Sequence, residues 1–115
     1  MSIAGHQSNK QRASMDRIME EVCKEYGVKK NLVLSKSRKG VVVEARKMIH
    51  YLAKELTTLP LKEIGKEAGM RDHATVLHSY RTIADFVKIY PYYKDRVELL
   101  KSRILRLNGP STDSK

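Results

Sequence analysis

The chain has 115 residues, 41% hydrophobic and 31% charged, with 23 Lys and Arg against 13 Asp and Glu for a net charge of +10. That length and balance fit one globular domain with a single core and exclude a disordered chain. No apolar run approaches the ~18 residues of a membrane-spanning helix, and no signal peptide opens the chain. The lone Cys23 excludes an intrachain disulfide and suits a reducing cytoplasm. Basic excess of this size points to nucleic acid or an anionic surface. Pro is scarce and no useful run alternates as a strand would, so the expected class is all-α.

Residues 1–13 are polar and aperiodic, and read as a tail. Ser14 stands where it can cap a first helix from Met15 to about Tyr26, ended by Gly27. Met15, Ile18, Met19, Val22, Cys23 and Tyr26 form its apolar face, which makes Cys23 a buried structural thiol rather than a nucleophile. Asn31 is expected to cap a short turn through Leu32, Val33 and Leu34. Ser35 to Gly40, SKSRKG, reads as an exposed loop. Between residues 29 and 54 eight basic residues face Glu44 alone, a net +7 of the chain's +10. A charge run of this kind is usually a solvated face. Just ahead of a helix-turn-helix it gains a second reading, in which an Arg-bearing loop enters a minor groove beside an occupied major groove.

A long helix is expected from about Val42 to Thr57, with Ala45, Met48, Ile49, Leu52, Ala53 and Leu56 as its core face. Arg46, Lys47, His50, Tyr51, Lys54 and Glu55 are left for the other faces. Arg46 and Lys47, near the basic loop, are expected on phosphates, and His50 reads as a surface or boundary residue rather than a metal ligand. Thr57 to Pro60 breaks the helix, with Pro60 just ahead of the next one.

The stretch LKEIGKEAGMRDHATVLHSY, Leu61 to Tyr80, reads as two helices joined by a tight turn. Leu61, Ile64 and Ala68 share a face, Gly69 can turn at positive φ, and Asp72 stands at an N-cap. The second helix of such a pair lies in the major groove with its N-terminal residues against base edges. Here those residues are Arg71, Asp72, His73, Ala74 and Thr75. Asp72 can cap the helix, accept from a cytosine amine, or do both; the methyls of Ala74 and Thr75 can meet a thymine methyl. Val76, Leu77, Tyr80, Ile83, Ala84 and Val87 are expected to point inward. Asp72, His73, Thr75, His78, Ser79 and Arg81 are left for DNA or solvent, with His78 read either as a phosphate contact or as a buried hydrogen-bonding residue. Tyr90-Pro91 ends this helix. A last one, from about Tyr92 to Leu107, is expected to close the core with Tyr93, Val97, Leu100, Ile104 and Leu107 as its stripe, and residues 108–115 read as a polar tail.

The run MRDHATVLH closely resembles the signature of the DNA-binding domain of the bacterial replication initiator family, DnaA. SKSRKGVVVEARKMIHYLAKELT resembles that family's basic loop and following helix, and LKEIG its first helix-turn-helix element. The resemblance runs from about Met15 to Leu107. It implies a DNA-binding domain over residues 14–107, related in fold to the Trp repressor, acting on double-stranded DNA at TTATCCACA-like boxes. It places Arg38 in the minor groove and Asp72, His73 and Thr75 in the major groove, with Arg71 and Ala74 beside them. It puts Arg46 and Lys54 on the phosphate backbone, where Lys36, Lys39, Lys47 and His78 are also expected. No cofactor or metal is implied, and the setting would be cytoplasmic and nucleoid-associated, with the domain monomeric on DNA. Ala74, Gly40 and Met70 depart from the family pattern, where Thr, Arg and Gly are common. The initiator's ATPase needs a Gly-rich phosphate loop, which this chain lacks. It is expected to be an excised domain or a free-standing protein, the polar stretch from Met1 favouring the second.

Other classes remain at this stage: a transcription regulator, or a non-specific basic module with altered specificity. A metal-dependent nuclease finds no support in the spacing of His73 and His78, five apart on different helix faces. Tyr92-Tyr93 or the last helix could dock a regulatory protein partner. No heptad seam predicts a dimer, and the lack of Trp with Phe86 as the only Phe disfavours RNA.

Overall fold

The computed structural model describes residues 13–69 and 71–106. The expectations for the tails, Met70 and Leu107 lie outside these residues, save that Ala13, assigned to the first tail, is 3% exposed and packs in the core. Six helices and no strands occur among the described residues: α1 (Met15–Tyr26), α2 (Lys30–Val33), α3 (Gly40–Leu56), α4 (Leu61–Glu67), α5 (His73–Ile89) and α6 (Pro91–Leu105). The all-α class stands.

Local chemistry sets most of these boundaries. Ser14 accepts the Arg17 N–H at 3.1 Å to start α1. Gly27 stops it at φ 66°, its N–H reaching the Lys24 carbonyl while Val28 N–H bonds Cys23 O at 3.1 Å. That paired closure needs a left-handed residue, which glycine adopts without strain. Thr57 ends α3 by donating its hydroxyl to Ala53 O at 2.7 Å and accepting Leu59 N–H. Pro91 is the first residue of α6, where a missing N–H costs nothing.

Two boundaries differ from expectation. Lys29, not Asn31, occupies the N-cap of α2, and Asn31 lies inside that helix. α3 begins at Gly40, two residues early, because Lys39 turns extended and its carbonyl accepts Val43 N–H at 2.9 Å. The first helical turn needs no internal N–H partner, so Gly40 can open it despite its poor propensity.

α3 runs through the middle and packs against each of the other five helices. Ile18, Met48, Ile49, Leu52, Ile64, Ile83, Leu100 and Ile104 are fully buried around it. Burial of such side chains contributes roughly 1.5–3 kcal/mol each against exposure. Three residues given to exposed faces belong to this interior. Tyr51 is 7% exposed and stacks on Tyr80, ring centroids 5.2 Å apart. His50 is 1% exposed and Ser79 3% exposed, and His50 Nδ1 lies 3.0 Å from Ser79 Oγ. The Tyr51–Tyr80 and His50–Ser79 pairs join α3 to α5. Glu55 extends the seam, accepting from Tyr80 OH and Lys101 Nζ, each at 2.9 Å, so α3, α5 and α6 meet at one carboxylate. Tyr93, expected on the apolar stripe of the last helix and also offered as half of a docking surface, is 8% exposed, as the stripe requires, and donates its hydroxyl to Glu44.

The turn between α4 and α5 depends on two glycines. Gly69 sits at φ 101°. Gly65 faces the Arg71 backbone, whose N–H donates to Gly65 O at 2.8 Å; a Cβ on Gly65 would fall onto the Arg71 carbonyl. The two helices can therefore cross this closely only with hydrogen at position 65.

Candidate nucleic-acid interface

Asp72 opens α5 from an extended conformation, φ −80° and ψ 171°, and its Oδ1 accepts Thr75 N–H at 2.8 Å. The hydrogen bonds from Thr75 hold the Asp72 carboxyl below its ordinary pKa, so it is a carboxylate at neutral pH. A carboxylate can accept more bonds than the cap requires, so Asp72 keeps acceptor capacity beyond it. Asp72, His73, Ala74 and Thr75 form a continuous exposed run at the head of the helix. His78 follows one turn on, also exposed, which decides its two readings against burial. Arg81 and Lys88 prolong the same side of α5, while Val76, Ser79 and Ile83 turn to the core.

The basic loop lies beside the turn that leads into this helix. Lys36, Arg38 and Lys39 are exposed. Serine hydroxyls shape the backbone beneath them: Ser35 Oγ donates to Leu32 O at 2.6 Å and accepts Ser37 N–H at 3.0 Å, and Ser37 Oγ accepts Lys39 N–H at 3.3 Å. A depression lined by Lys36, Ser37, Arg38, Val43, Arg46 and Arg71 joins loop and turn. Arg71 is half-buried. Its guanidinium donates to Gly69 O and, at 3.3 Å, to Ser35 O, so it bridges the turn and the loop instead of projecting freely like His73.

Arg46 requires a correction. It is 6% exposed, and its guanidinium donates to the carbonyls of Leu32, Val33, Ser35 and Ser37. Four of its five N–H donors are thus held by protein carbonyls, and the side chain expected on an outer face lies in the interior. Burial, with the charge of Arg71, pushes its pKa below the arginine norm. Lys47 and Lys54 are half-exposed, and the Lys54 ammonium sits 4.8 Å over the Tyr80 ring on the flank of α5. His50 is the second correction. Burial drives its pKa down to about 4, so it is neutral and structural, well inside the fold from exposed His73 and His78. Among the described residues no group of three or more His, Cys, Asp or Glu could hold a metal ion.

Ser35, Ser37, Gly65 and Gly69 thus shape the loop and turn of this candidate surface. The repeated serines in SKSRK were the available signal for the loop. For Arg46 it was spacing: Val42, Arg46, Ile49 and Ala53 lie on one side of α3.

A capped helix following a tight turn, with a basic loop tied to that turn, defines a helix-turn-helix domain of the DNA-binding class. The family model for the bacterial dnaA protein helix-turn-helix matches residues 15–83, and the chain belongs to that family. Several proteins named chromosomal replication initiator protein DnaA are similar to it. That of Jannaschia sp. (strain CCS1) is 36% identical over 90 residues, covering 78% of this chain and 19% of the relative. That of Thermoanaerobacter sp. (strain X514) is 41% identical over 98 residues, covering 84% and 22%. That of Rhodopseudomonas palustris (strain BisB18) is 41% identical over 93 residues, covering 81% and 20%. The chain spans about a fifth of the length of these relatives. No described helix is long and apolar enough to cross a membrane.

Proposed function

We propose that this domain binds duplex DNA sequence-specifically at DnaA-box-like, TTATCCACA-like sites, in replication initiation or its regulation. The observation that carries this reading is the exposed run Asp72–Thr75 at a capped helix head, with the Lys36–Lys39 loop tethered beside it through Arg71 and Ser35. In this reading α5 enters the major groove and His73, Ala74, Thr75 and the Asp72 carboxylate meet base edges. Arg38 enters the neighbouring minor groove, where the narrow, negative channel favours a guanidinium. Lys36, Lys39, Lys47, Lys54 and His78 approach phosphates, and Arg71 completes the base-reading set only through the part of its guanidinium not held by Gly69 and Ser35. The domain acts as a monomer on nucleoid DNA in the cytoplasm, and a regulatory protein partner would have to leave the α5 head free.

Fluorescence anisotropy tests this on a duplex carrying a TTATCCACA-like site and on its scrambled counterpart, across a salt series. Tight binding to the site alone, surviving moderate salt, is the expected result. Equal binding to both duplexes, collapsing as salt rises, would leave only non-specific phosphate attraction. Ala74 in place of a hydroxyl-bearing residue, and Gly40 in place of a basic one, would then be the first positions to restore.

A further inference from the structure

The carbonyls held by Arg46 all belong to one segment. Nε lies 2.9 Å from Val33 O, Nη1 3.3 Å from Ser37 O, and Nη2 3.3 Å from Leu32 O and 3.1 Å from Ser35 O. Lys36 is exposed within that segment, as are Leu32 and Leu34, and exposed Arg38 and Lys39 follow directly after it. Ser35 O is also the acceptor for Arg71 Nη2 at 3.3 Å, so one carbonyl joins α3 to the turn ahead of α5. Gly69 closes over the same side chain: a Cβ there would sit 3.4 Å from Arg46 Nε and 3.0 Å from Val33 O. Among the described residues neither arginine pairs with a carboxylate.

We propose that Arg46 is a positioning residue for DNA recognition, a clasp that fixes the basic loop against the helix-turn-helix turn. It sets one offset between Arg38 and the head of α5, so that the two reach adjacent grooves together. The inference rests on the DNA-binding reading above and adds a residue that touches no DNA. A short Ser/Lys/Arg loop left to itself samples many conformations, and ordering it on binding would subtract from affinity. The clasp moves that ordering into the folding of the free protein. The task suits arginine: a planar fork can serve four carbonyls at once, whereas the lysine ammonium is a single point. A phosphate contact makes the opposite demand, since lysine serves it nearly as well.

Arg46→Lys therefore separates the two roles, alone and combined with Arg38→Ala. Affinity is measured by anisotropy on site-bearing and scrambled duplexes over a salt series, at a temperature where circular dichroism shows each variant folded. The clasp predicts that Arg46→Lys loses roughly tenfold on the site-bearing duplex, the size of one lost base contact. Scrambled-duplex affinity and its salt slope stay at wild-type values. In the Arg38→Ala background the same change costs little more, because the loop's position matters through what the loop carries. Wild-type binding by Arg46→Lys overturns the proposal, as does a loss of equal size with and without Arg38.

Arg46→Met, which keeps the length of the side chain and removes the buried charge, is the second variant if the lysine form does not fold. Hydrogen exchange in the DNA-free protein gives an independent readout. Amides 35–39 should exchange at least tenfold faster in either variant, with α1 and α6 unaffected; unchanged loop protection sinks the clasp. A wild-type protein that fails to discriminate the duplexes defeats the box reading instead, and loop exchange still decides the clasp.

Discussion

At the head of α5 the chain supplies its own geometry, since Asp72 caps Thr75 three residues on and helical period does the rest. The loop carrying Lys36, Arg38 and Lys39 is built differently: it takes part of its shape from its own serines and the rest from Arg46 in α3 and Arg71, which is 36 residues from Ser35. One half of the candidate interface is a local structure that presents side chains. The other is a tertiary structure in which a buried arginine replaces a regular backbone ladder. The lesson is that reading heads made of helix tolerate change one residue at a time, whereas a clasped loop depends on residues that never leave the core.

The strongest way to break both halves together is at the turn between them. Gly65→Ala places a methyl on the Arg71 carbonyl and should cost about 3 kcal/mol or more of stability, read by urea denaturation. A wild-type midpoint would mean that α4 and α5 can separate cheaply.

The α3–α5 seam behind the helix head responds to pH. His50 has a folded pKa of about 4, below its ordinary 6.5, so the unfolded chain takes up a proton before the folded one. The contribution is intact above pH 6.5, declines as pH falls from 6.5 to 4, and totals on the order of 3 kcal/mol. Denaturation midpoints followed from pH 7 to 4 should fall accordingly, and His50→Gln should flatten that part of the profile. An unchanged profile in the variant would move the titration elsewhere.

The two grooves are compared directly with His73→Ala at the helix head and Arg38→Ala in the loop. Each is expected to lose roughly 1–3 kcal/mol of specific binding, with relaxed discrimination at different base pairs. Lys47→Ala should instead weaken all duplexes alike and lower the salt slope by about one. Relaxation at the same base pairs for both His73→Ala and Arg38→Ala would contradict separate grooves.

Capping and reading can be separated at Asp72. Asp72→Asn keeps an oxygen for Thr75 N–H and should melt close to wild type, while Asp72→Ala melts lower. Both should bind the site less selectively, because both lose the carboxylate; unaltered selectivity in Asn would make Asp72 a cap alone.

The smallest effect is expected at the start of α3, where the loop ends. Nothing lies within 4 Å of a Cβ on Gly40, and its φ is ordinary. Gly40→Ala should therefore stabilise the fold by about 0.5–1 kcal/mol, through helix propensity and a less flexible unfolded chain, with a small rise in melting temperature.

The sequence by itself determined the helix count and most helix ends, because Ser14, Gly27, Pro60, Asp72 and Pro91 act on backbone groups within a few residues of themselves. It also determined the exposed run from Asp72 to Thr75, which follows from a cap and a 3.6-residue period. The tertiary structure decided the fate of the polar residues on α3 and its partners. Arg46, His50, Tyr51 and Ser79 all have polar groups that suggested a surface, yet all are buried. Arg46 enters because four carbonyls satisfy its fork, His50 because Ser79 meets its Nδ1, and Tyr51 because its ring stacks on Tyr80. Burial of a polar side chain depends on whether a partner waits on another element. That partner is fixed only when the helices pack, so periodicity along one helix cannot supply it.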